Sequence, residues 1–470
     1  MNAQSRRSFL KAAGLGAAAL SLSPRGLSAA EAAAAKRPNV LFLFTDDQRE
    51  DTVAALGNPN IKTPNLDKLA GSGVVFRNAY CMGGFSGAVC LPSRMMMLRG
   101  RSWFAVRGLP PDFPNFPKSL NEAGYETYHH GKRGNTDTLV HKSFTHSHYL
   151  PDGSARASGF PCKDIVDDAI RFLGERDKSK PFFMYLAPAN PHDPRIADKK
   201  YLDQYDPDKI PLPPNFMPFH PFNNGELLIR DERLAPWPRT PEAIRKHLHD
   251  YYAVITGMDE QIGRLLDALK EAGEYESTIL IFSSDQGIAI GSHGLMGKQN
   301  LYEHSMGVPL VFAGPGIPKG KTVDAFAYLL DVFPTVCDLV GAKVPDGLDG
   351  KSLAPVLQGK AEGVRDTIFL GYRNIQRAVR RGRWKLLRYP QVDKTQLFDL
   401  EADPFETRDL AADPAQADRV KDLLALMAEQ QKLFGDTDPL TVDAPKPAEV
   451  GLEFFRKAPE PGKKAGRKKN

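Results

Sequence analysis

Short apolar runs in this chain end repeatedly in residues able to handle charge. Val40 to Thr45 (VLFLFT) runs into Asp46 and Asp47, Tyr125 to His129 leads to Lys132, Phe182 to Ala187 (FFMYLA) leads to His192, and Thr278 to Ser283 (TILIFS) leads to Asp285 and Gln286. Singly these are weak signals, since an Asp pair at a strand end serves equally well as a solvated turn or helix cap. A lone His after a strand is also more often structural than catalytic. Together they form a pattern. In mostly parallel sheets, ligands gather beyond the carboxyl ends of the strands, so four strands that end this way point to one active site. Carboxylates and an amide suit a hard divalent cation, and an ammonium and an imidazole suit charge neutralisation and proton transfer.

The elements that must position these groups read as α/β. The runs above, with Val308 to Ala313, are short, β-rich and separated by helical patterns, which predicts a large, mostly parallel sheet sandwiched by helices. Ile244, Leu248, Tyr251, Ile255, Met258, Ile262, Leu265 and Leu269 recur by three and four, the buried stripe of a long packing helix. Residues 206 to 241 are Pro-rich and polar and read as a long surface excursion. After about 365 the texture changes to Ala378-Val379-Arg380, Trp384 to Leu387 and Gln396 to Leu400, then a helix near 416 to 433. This predicts a small C-terminal antiparallel sheet subdomain over 366–435, following a catalytic domain over 36–365. From 436 to 470, Pro, Lys and Gly predict a basic, disordered tail.

Cys90-Leu91-Pro92-Ser93-Arg94, continuing Met95 to Arg101, is similar to the signature of type I sulfatases, whose core is Cys-x-Pro-Ser-Arg. The resemblance to that family, within the alkaline phosphatase superfamily, runs from about Pro38 to Asp409. It implies that Cys90 is oxidised to formylglycine by a formylglycine-generating enzyme that reads this pentapeptide. It also implies a metal site of Asp46, Asp47, Asp285, Gln286 and residue 90. Oxygen donors of this kind fit Ca²⁺, with Mg²⁺ as the second choice, whereas zinc would ordinarily call for His or Cys ligands. Asn190 to Pro194 and Gly297 to Glu303 resemble the family segments whose His and Lys contact the ester oxygen, so His192 or Lys298 would protonate the departing alkoxide. His293 is a weaker candidate for substrate contact.

The chemistry asks for these residue types. A sulfate monoester is an anion at any physiological pH, so Arg94, Lys132 and Lys298 would neutralise it before a nucleophile approaches sulfur. The helix entered at Cys90 would add backbone N–H groups. Hydrated formylglycine would supply a nucleophilic hydroxyl and a second hydroxyl whose deprotonation expels sulfate. The expected substrate is a sulfate ester, preferentially of a saccharide. Two alternatives stay open: phosphodiester or phosphonate monoester hydrolysis, and a silent binding protein never oxidised at Cys90.

Three positions depart from the family pattern. Gln286 stands where members more often have Asn or His. Gly134 stands where many members place a His that assists sulfate release, which leaves His130 and Asn135 as the nearest polar substitutes. Arg99 replaces a common Thr and reads as a helix-surface change.

The ends of the chain carry its basic charge. Of the formal +5, four basic residues lie within residues 1 to 30, and residues 456 to 470 hold seven Lys/Arg against one Glu, leaving −5 for residues 31 to 455. Nucleic acid is therefore not expected as a partner of the body. Ser5-Arg6-Arg7-Ser8-Phe9-Leu10-Lys11, a short Ala/Gly/Leu run and Ser28-Ala29-Ala30 resemble a twin-arginine export signal over 1–30, read by the twin-arginine translocase. Periplasmic or secreted localisation follows, with no stable membrane span because the run is too short. Four cysteines in 470 residues make no disulfide framework. Cys337 reads as core, and Cys81 and Cys162 as either paired or free.

Overall fold

VLFLFT forms a strand because β-branched and aromatic residues can fill both faces of a pleat when both are covered. In the computed structural model, which describes residues 37–150 and 158–456, β1 (Asn39–Thr45) is buried along its whole length. Val40, Phe42 and Phe44 join one core cluster with Phe183, Tyr185, Met96 and Met97. Leu41 and Leu43 join another with Ile165, Val166, Ile262 and Leu265. Each such side chain contributes about 1.5–3 kcal/mol on burial, so the strand is held by layers on both sides.

Those layers enclose an eight-stranded sheet. Its members are β1, β2 (Gly73–Tyr80), β4 (Glu126–Gly131), β5 (His146–Tyr149), β6 (Phe182–Ala187), β7 (Thr278–Ser284), β8 (Leu310–Ala313) and β9 (Lys321–Tyr328), in the order β5-β4-β6-β1-β7-β8-β2-β9. All neighbours are parallel except β8, which runs antiparallel to both β7 and β2. With β1 between β6 and β7, the carboxyl ends that carry Asp46, His192 and Asp285 lie side by side. The expected long helix spans Pro241–Glu271, capped by Thr240, whose hydroxyl accepts from Ala243 N at 3.3 Å.

The C-terminal subdomain is a second sheet of β10 (Thr367–Tyr372), β11 (Gln376–Arg381), β12 (Trp384–Tyr389) and β13 (Lys394–Asp399), paired antiparallel in sequence order. The helix Ala417–Phe434 closes it by packing Leu423, Leu426 and Met427 on Phe369, Val379, Leu386 and Leu397. A fifth strand went unforeseen. β3 (Gly83–Gly84) pairs parallel with β10, and a Cβ at Gly83 would sit 2.1 Å from Gly371 O. Only glycine allows that approach, which ties the second sheet to the segment leading into Cys90.

Several expectations need correction. Residues 436–456 are ordered against the body: Asp436 pairs with Arg377 at 2.6 Å, Lys446 N donates to Gln391 O at 2.9 Å, and Phe455 packs 5.2 Å from both Phe219 and Trp237. Composition missed these few anchors because each is a single side chain in a Pro-rich context. The excursion over 206–241 is no mere surface loop, since Ile210, His220, Leu227, Asp231, Glu232 and Arg239 are all buried. Arg99 is buried too and pairs with Asp137 at 2.6 Å. All four cysteines are free and buried. The expected export signal and residues 457–470 lie outside the described residues. Among the described residues, no helix is long and apolar enough to cross a membrane.

Candidate active site

Three chain segments converge at the carboxyl ends of β1 and β7. Asp46 leaves β1 with its N–H on Asn190 O at 3.0 Å, and Asp47 turns the chain with φ 66°. Asp285 leaves β7, and its Oδ1 accepts from the backbone N–H groups of both Asp47 and Gln286 at 3.0 Å. From the opposite side comes the helix Cys90–Arg99, whose Ser93 hydroxyl donates to Asp285 O at 2.6 Å. Arg94 Nε donates to Asp285 Oδ2 at 3.0 Å, and its guanidinium lies over the Phe44 ring at 5.4 Å. Both side chains of this ion pair are 0% exposed, so nothing screens the contact.

Cys90 stands at the centre. Its Sγ lies 3.3 Å from Asp46 Oδ1, 3.3 Å from Gln286 Nε2 and 3.3 Å from Lys298 Nζ. Lys298 Nζ also donates to both oxygens of Asp47 at 2.6 and 2.8 Å, and Lys132 pairs with Asp46. His192 Nε2 is 3.7 Å from Asp47 Oδ2, while its Nδ1 lies 2.7 Å from Asp193 O. All the residues predicted for catalysis and metal binding, Asp46, Asp47, Cys90, Arg94, Lys132, His192, Asp285, Gln286 and Lys298, therefore meet in one place. His293 does not join them: it is buried and stacks on Tyr302 at 4.0 Å. Nor do the expected substitutes for the missing His, because His130 Nδ1 faces Asp168 at 3.2 Å and Asn135 is exposed.

Donor atoms of Asp46, Asp47, Cys90 and Asp285 all lie within 4.8 Å of one another, and all four residues are buried. Crowding separates the carboxyls. Burial pushes Asp46 up, but Lys132, His192 and Arg94 outweigh it and hold the group well below its usual range. Burial and the neighbouring Asp46 push Asp285 up to about 7. Burial and Asp46 also push the Cys90 thiol to about 12, so as a cysteine this residue is no thiolate nucleophile near neutral pH. Burial and then Lys298 lower His192, whereas Lys298 is held well above its usual value by Asp47 despite burial. The ammonium is thus the better proton reservoir of the two.

Several supports had no sequence signal. Tyr251 belongs to the stripe read as packing, yet its hydroxyl donates to Asp47 O at 2.6 Å and accepts from Arg49 N at 2.9 Å. The rings of His129 and His141 lie 4.0 Å apart, tilted by 41°, near Arg94, where burial lowers both imidazoles and keeps them neutral. Tyr251→Phe removes both contacts and leaves two buried backbone groups unpaired, which costs about 1–3 kcal/mol. Urea unfolding should show that loss together with weaker activity; unchanged stability would mean that the turn at Asp47 holds itself.

The family model for sulfatases matches residues 38–342. The chain belongs to the sulfatase family. A second model, for the C-terminal part of N-sulphoglucosamine sulphohydrolase, matches residues 291–433 of this sulfatase. An N-acetylglucosamine-6-O-sulfatase of Bacteroides thetaiotaomicron is 28% identical to it, over 86% of this chain and 88% of that protein. A solved structure in complex with its substrate D-glucosamine-2-N,6-O-disulfate aligns with TM-score 0.73 and 26% identity, covering 86% of this chain and 99% of the other. The phosphonate monoester hydrolase of Agrobacterium radiobacter aligns with TM-score 0.71 and 25% identity, over 85% and 96%. This sulfatase is a sulfuric ester hydrolase.

Proposed function

We propose that this sulfatase removes sulfate from carbohydrate monoesters outside the cytoplasm, using formylglycine made from Cys90 and one Ca²⁺, with Mg²⁺ as the other fitting ion. The observation that carries the reading is Cys90 Sγ, 3.3 Å from groups of Asp46, Gln286 and Lys298 at the first turn of its helix. The donor set fits a hard cation: three buried carboxylates surround the site, and Gln286 Oε1 is buried without a hydrogen-bond partner. Asp46, Asp47, Asp285, Gln286 and residue 90 would hold the ion. When bound, a cation supplies positive charge to the sulfate oxygens, and formylglycine supplies a hydrated aldehyde oxygen as nucleophile.

The remaining work falls to the chain. Arg94 fixes Asp285 and, with Lys132 and Lys298, offsets the substrate's charge in a site closed to bulk water. Lys298, whose Nζ lies 3.3 Å from Cys90 Sγ, delivers a proton to the departing oxygen, while His192 faces the site through Nε2 because Nδ1 is engaged with Asp193 O. The carbohydrate substrate is supported by the relatives named for sulfated sugars. Export through the twin-arginine translocase and modification by a formylglycine-generating enzyme are part of the same proposal and rest on the sequence of residues 1–30 and 90–94.

The second reading, phosphonate monoester hydrolysis, is favoured by one observation, the solved hydrolase at 25% identity. Matched rates on 4-nitrophenyl sulfate, 4-nitrophenyl phosphate and a 4-nitrophenyl phosphonate monoester separate the two. The expected kcat/KM is highest for the sulfate ester by at least tenfold. A preference for the phosphonate would replace the first reading with the second.

A further inference from the structure

Lys298 reaches both Asp47 and residue 90, yet it sits on the loop after β7, a segment without regular structure between Gln286 and Tyr302. Something must hold that loop, because a general acid displaced by about 1 Å can lose a factor of about 100 in rate. Within the loop, Ala289 N donates to Gly297 O at 3.0 Å and Gly291 N to Leu295 O at 2.7 Å. These contacts close a hairpin but leave the N–H groups of Met296 and Gly297 facing away from it.

Both N–H groups are taken by a single carboxylate from the Pro-rich excursion. Met296 N donates to Glu232 Oε2 at 2.9 Å and Gly297 N to Glu232 Oε1 at 2.8 Å. Glu232 is 3% exposed and is fixed in turn by Arg239, whose Nη2 donates to its Oε2 at 2.6 Å and to its carbonyl at 2.9 Å. The preceding residue grips the other side of the lysine. Asp231 Oδ2 accepts from Gln299 Nε2 at 2.7 Å, and the same amide donates to Gly87 O at 2.7 Å, three residues before Cys90. Gln299 Oε1 accepts from Lys298 N at 3.1 Å. Gly297 records the tightness of the grip: a Cβ there would lie 2.4 Å from Gln299 Oε1 and 3.0 Å from Asp231 Cβ.

We infer that Asp231 and Glu232 are positioning residues for this sulfatase, a two-carboxylate clasp on residues 296–299 that sets the reach of Lys298 toward residue 90. The inference rests on the sulfatase reading for its catalytic consequence, but the clasp itself does not. Its logic is that of a rigid support: the carboxylates touch no reacting atom, and they accept from backbone and amide donors on both sides of Lys298, whose ammonium does. The excursion is thereby a functional part of the site, contributed by a segment about 65 residues earlier in the chain.

The test uses the full-length enzyme and the variants Glu232→Gln, Asp231→Asn, Lys298→Ala and each carboxylate variant combined with Lys298→Ala. An amide at 232 turns one acceptor into a donor facing a backbone N–H. Amide hydrogen exchange at Met296 and Gly297 should therefore accelerate at least tenfold in Glu232→Gln, while β1 and β7 stay protected. On 4-nitrophenyl sulfate, kcat should fall about tenfold, and on phenyl sulfate, a poorer leaving group that needs the proton more, about 100-fold. KM should change little. In the Lys298→Ala background the same substitution should cost nothing further, because the group it positions is gone. Equal losses in both backgrounds, or a loss independent of the leaving group, would assign Glu232 to general stability and overturn the inference. Unaltered exchange at 296 and 297 would do the same. If Glu232→Gln does not fold, Asp231→Asn, which leaves the Arg239 pair intact, reads the same cycle through Gln299. A wild-type enzyme that cleaves neither aryl sulfates nor sulfated saccharides would sink the proposed reaction instead, and hydrogen exchange would still decide whether the clasp exists.

Discussion

Cys90→Ala should abolish sulfate ester hydrolysis, and Cys90→Ser should perform one event and stop. The alanine variant loses the nucleophile candidate at the centre of the site, where Asp46, Gln286 and Lys298 all converge on one side-chain atom. A thiol does not substitute, because burial and Asp46 push it to about 12. Serine offers one hydroxyl with Lys298 beside it and Arg94 nearby, enough for attack on sulfur. It lacks the second hydroxyl that would release the sulfate afterwards. Mass spectrometry of the peptide containing residue 90 should show unmodified alanine in one variant and a sulfated serine in the other. Loss of turnover should reach at least 10⁴-fold in both. Sustained turnover by the serine variant at the wild-type rate, or full activity of protein whose Cys90 is an unoxidised thiol, would exclude this chemistry.

Much of that site was legible in advance, for a physical reason. Asp46 and Asp285 directly follow runs that must be buried on both faces, so the alternation of core and polar end survives in the sequence as a sharp boundary. Lys132 directly follows its strand and His192 lies five residues beyond its own, so both belonged to the same strand-end pattern, whereas Lys298 gained meaning only through resemblance. The long helix showed because its stripe repeats by three and four from Ile244 to Leu269 within a helix of 31 residues. What stayed hidden depends on isolated long-range polar contacts, which have no period. Nothing near Glu232 announces Met296 and Gly297, and nothing in Tyr251 separates it from its apolar neighbours on the stripe. Arg99 looked like a surface residue because its partner, Asp137, lies 38 positions away. At Gly134 the two expected polar substitutes, His130 and Asn135, do not join the groups around residue 90, so proximity along the chain was a poor guide to replacement.

Asp46→Ala and Asp285→Ala should each reduce activity by at least about 10³-fold and erase the stabilisation that calcium gives the wild-type protein. The four donors within 4.8 Å are mutually repulsive once ionised, and burial, with Asp46 adding to it, raises the Asp285 carboxyl. A dication that binds the folded site alone stabilises it by RT ln(1 + [L]/Kd), about 2.7 kcal/mol at a hundredfold excess over Kd. For a chain of this size that is a shift of roughly 5 °C or less, absent in both variants. The pH dependence has a definite sign. Asp285 has its carboxyl raised to about 7 in the metal-free fold, against 3.8 for an unperturbed group, so the contribution of this one group to metal-free stability falls as pH rises from about 4 through about 7. The cation requires the carboxylate, so its affinity should weaken about tenfold per unit as pH falls below about 7, with a proton released on binding. Calorimetry at pH 6, 7 and 8 in buffers of different ionisation enthalpy reads both quantities. Calcium's gain in melting temperature should then be greater at pH 8 than at pH 6. An affinity independent of pH would separate Asp285 from the metal, and melting shifts that are equal with and without calcium in the two variants would remove the metal from this carboxylate cluster altogether.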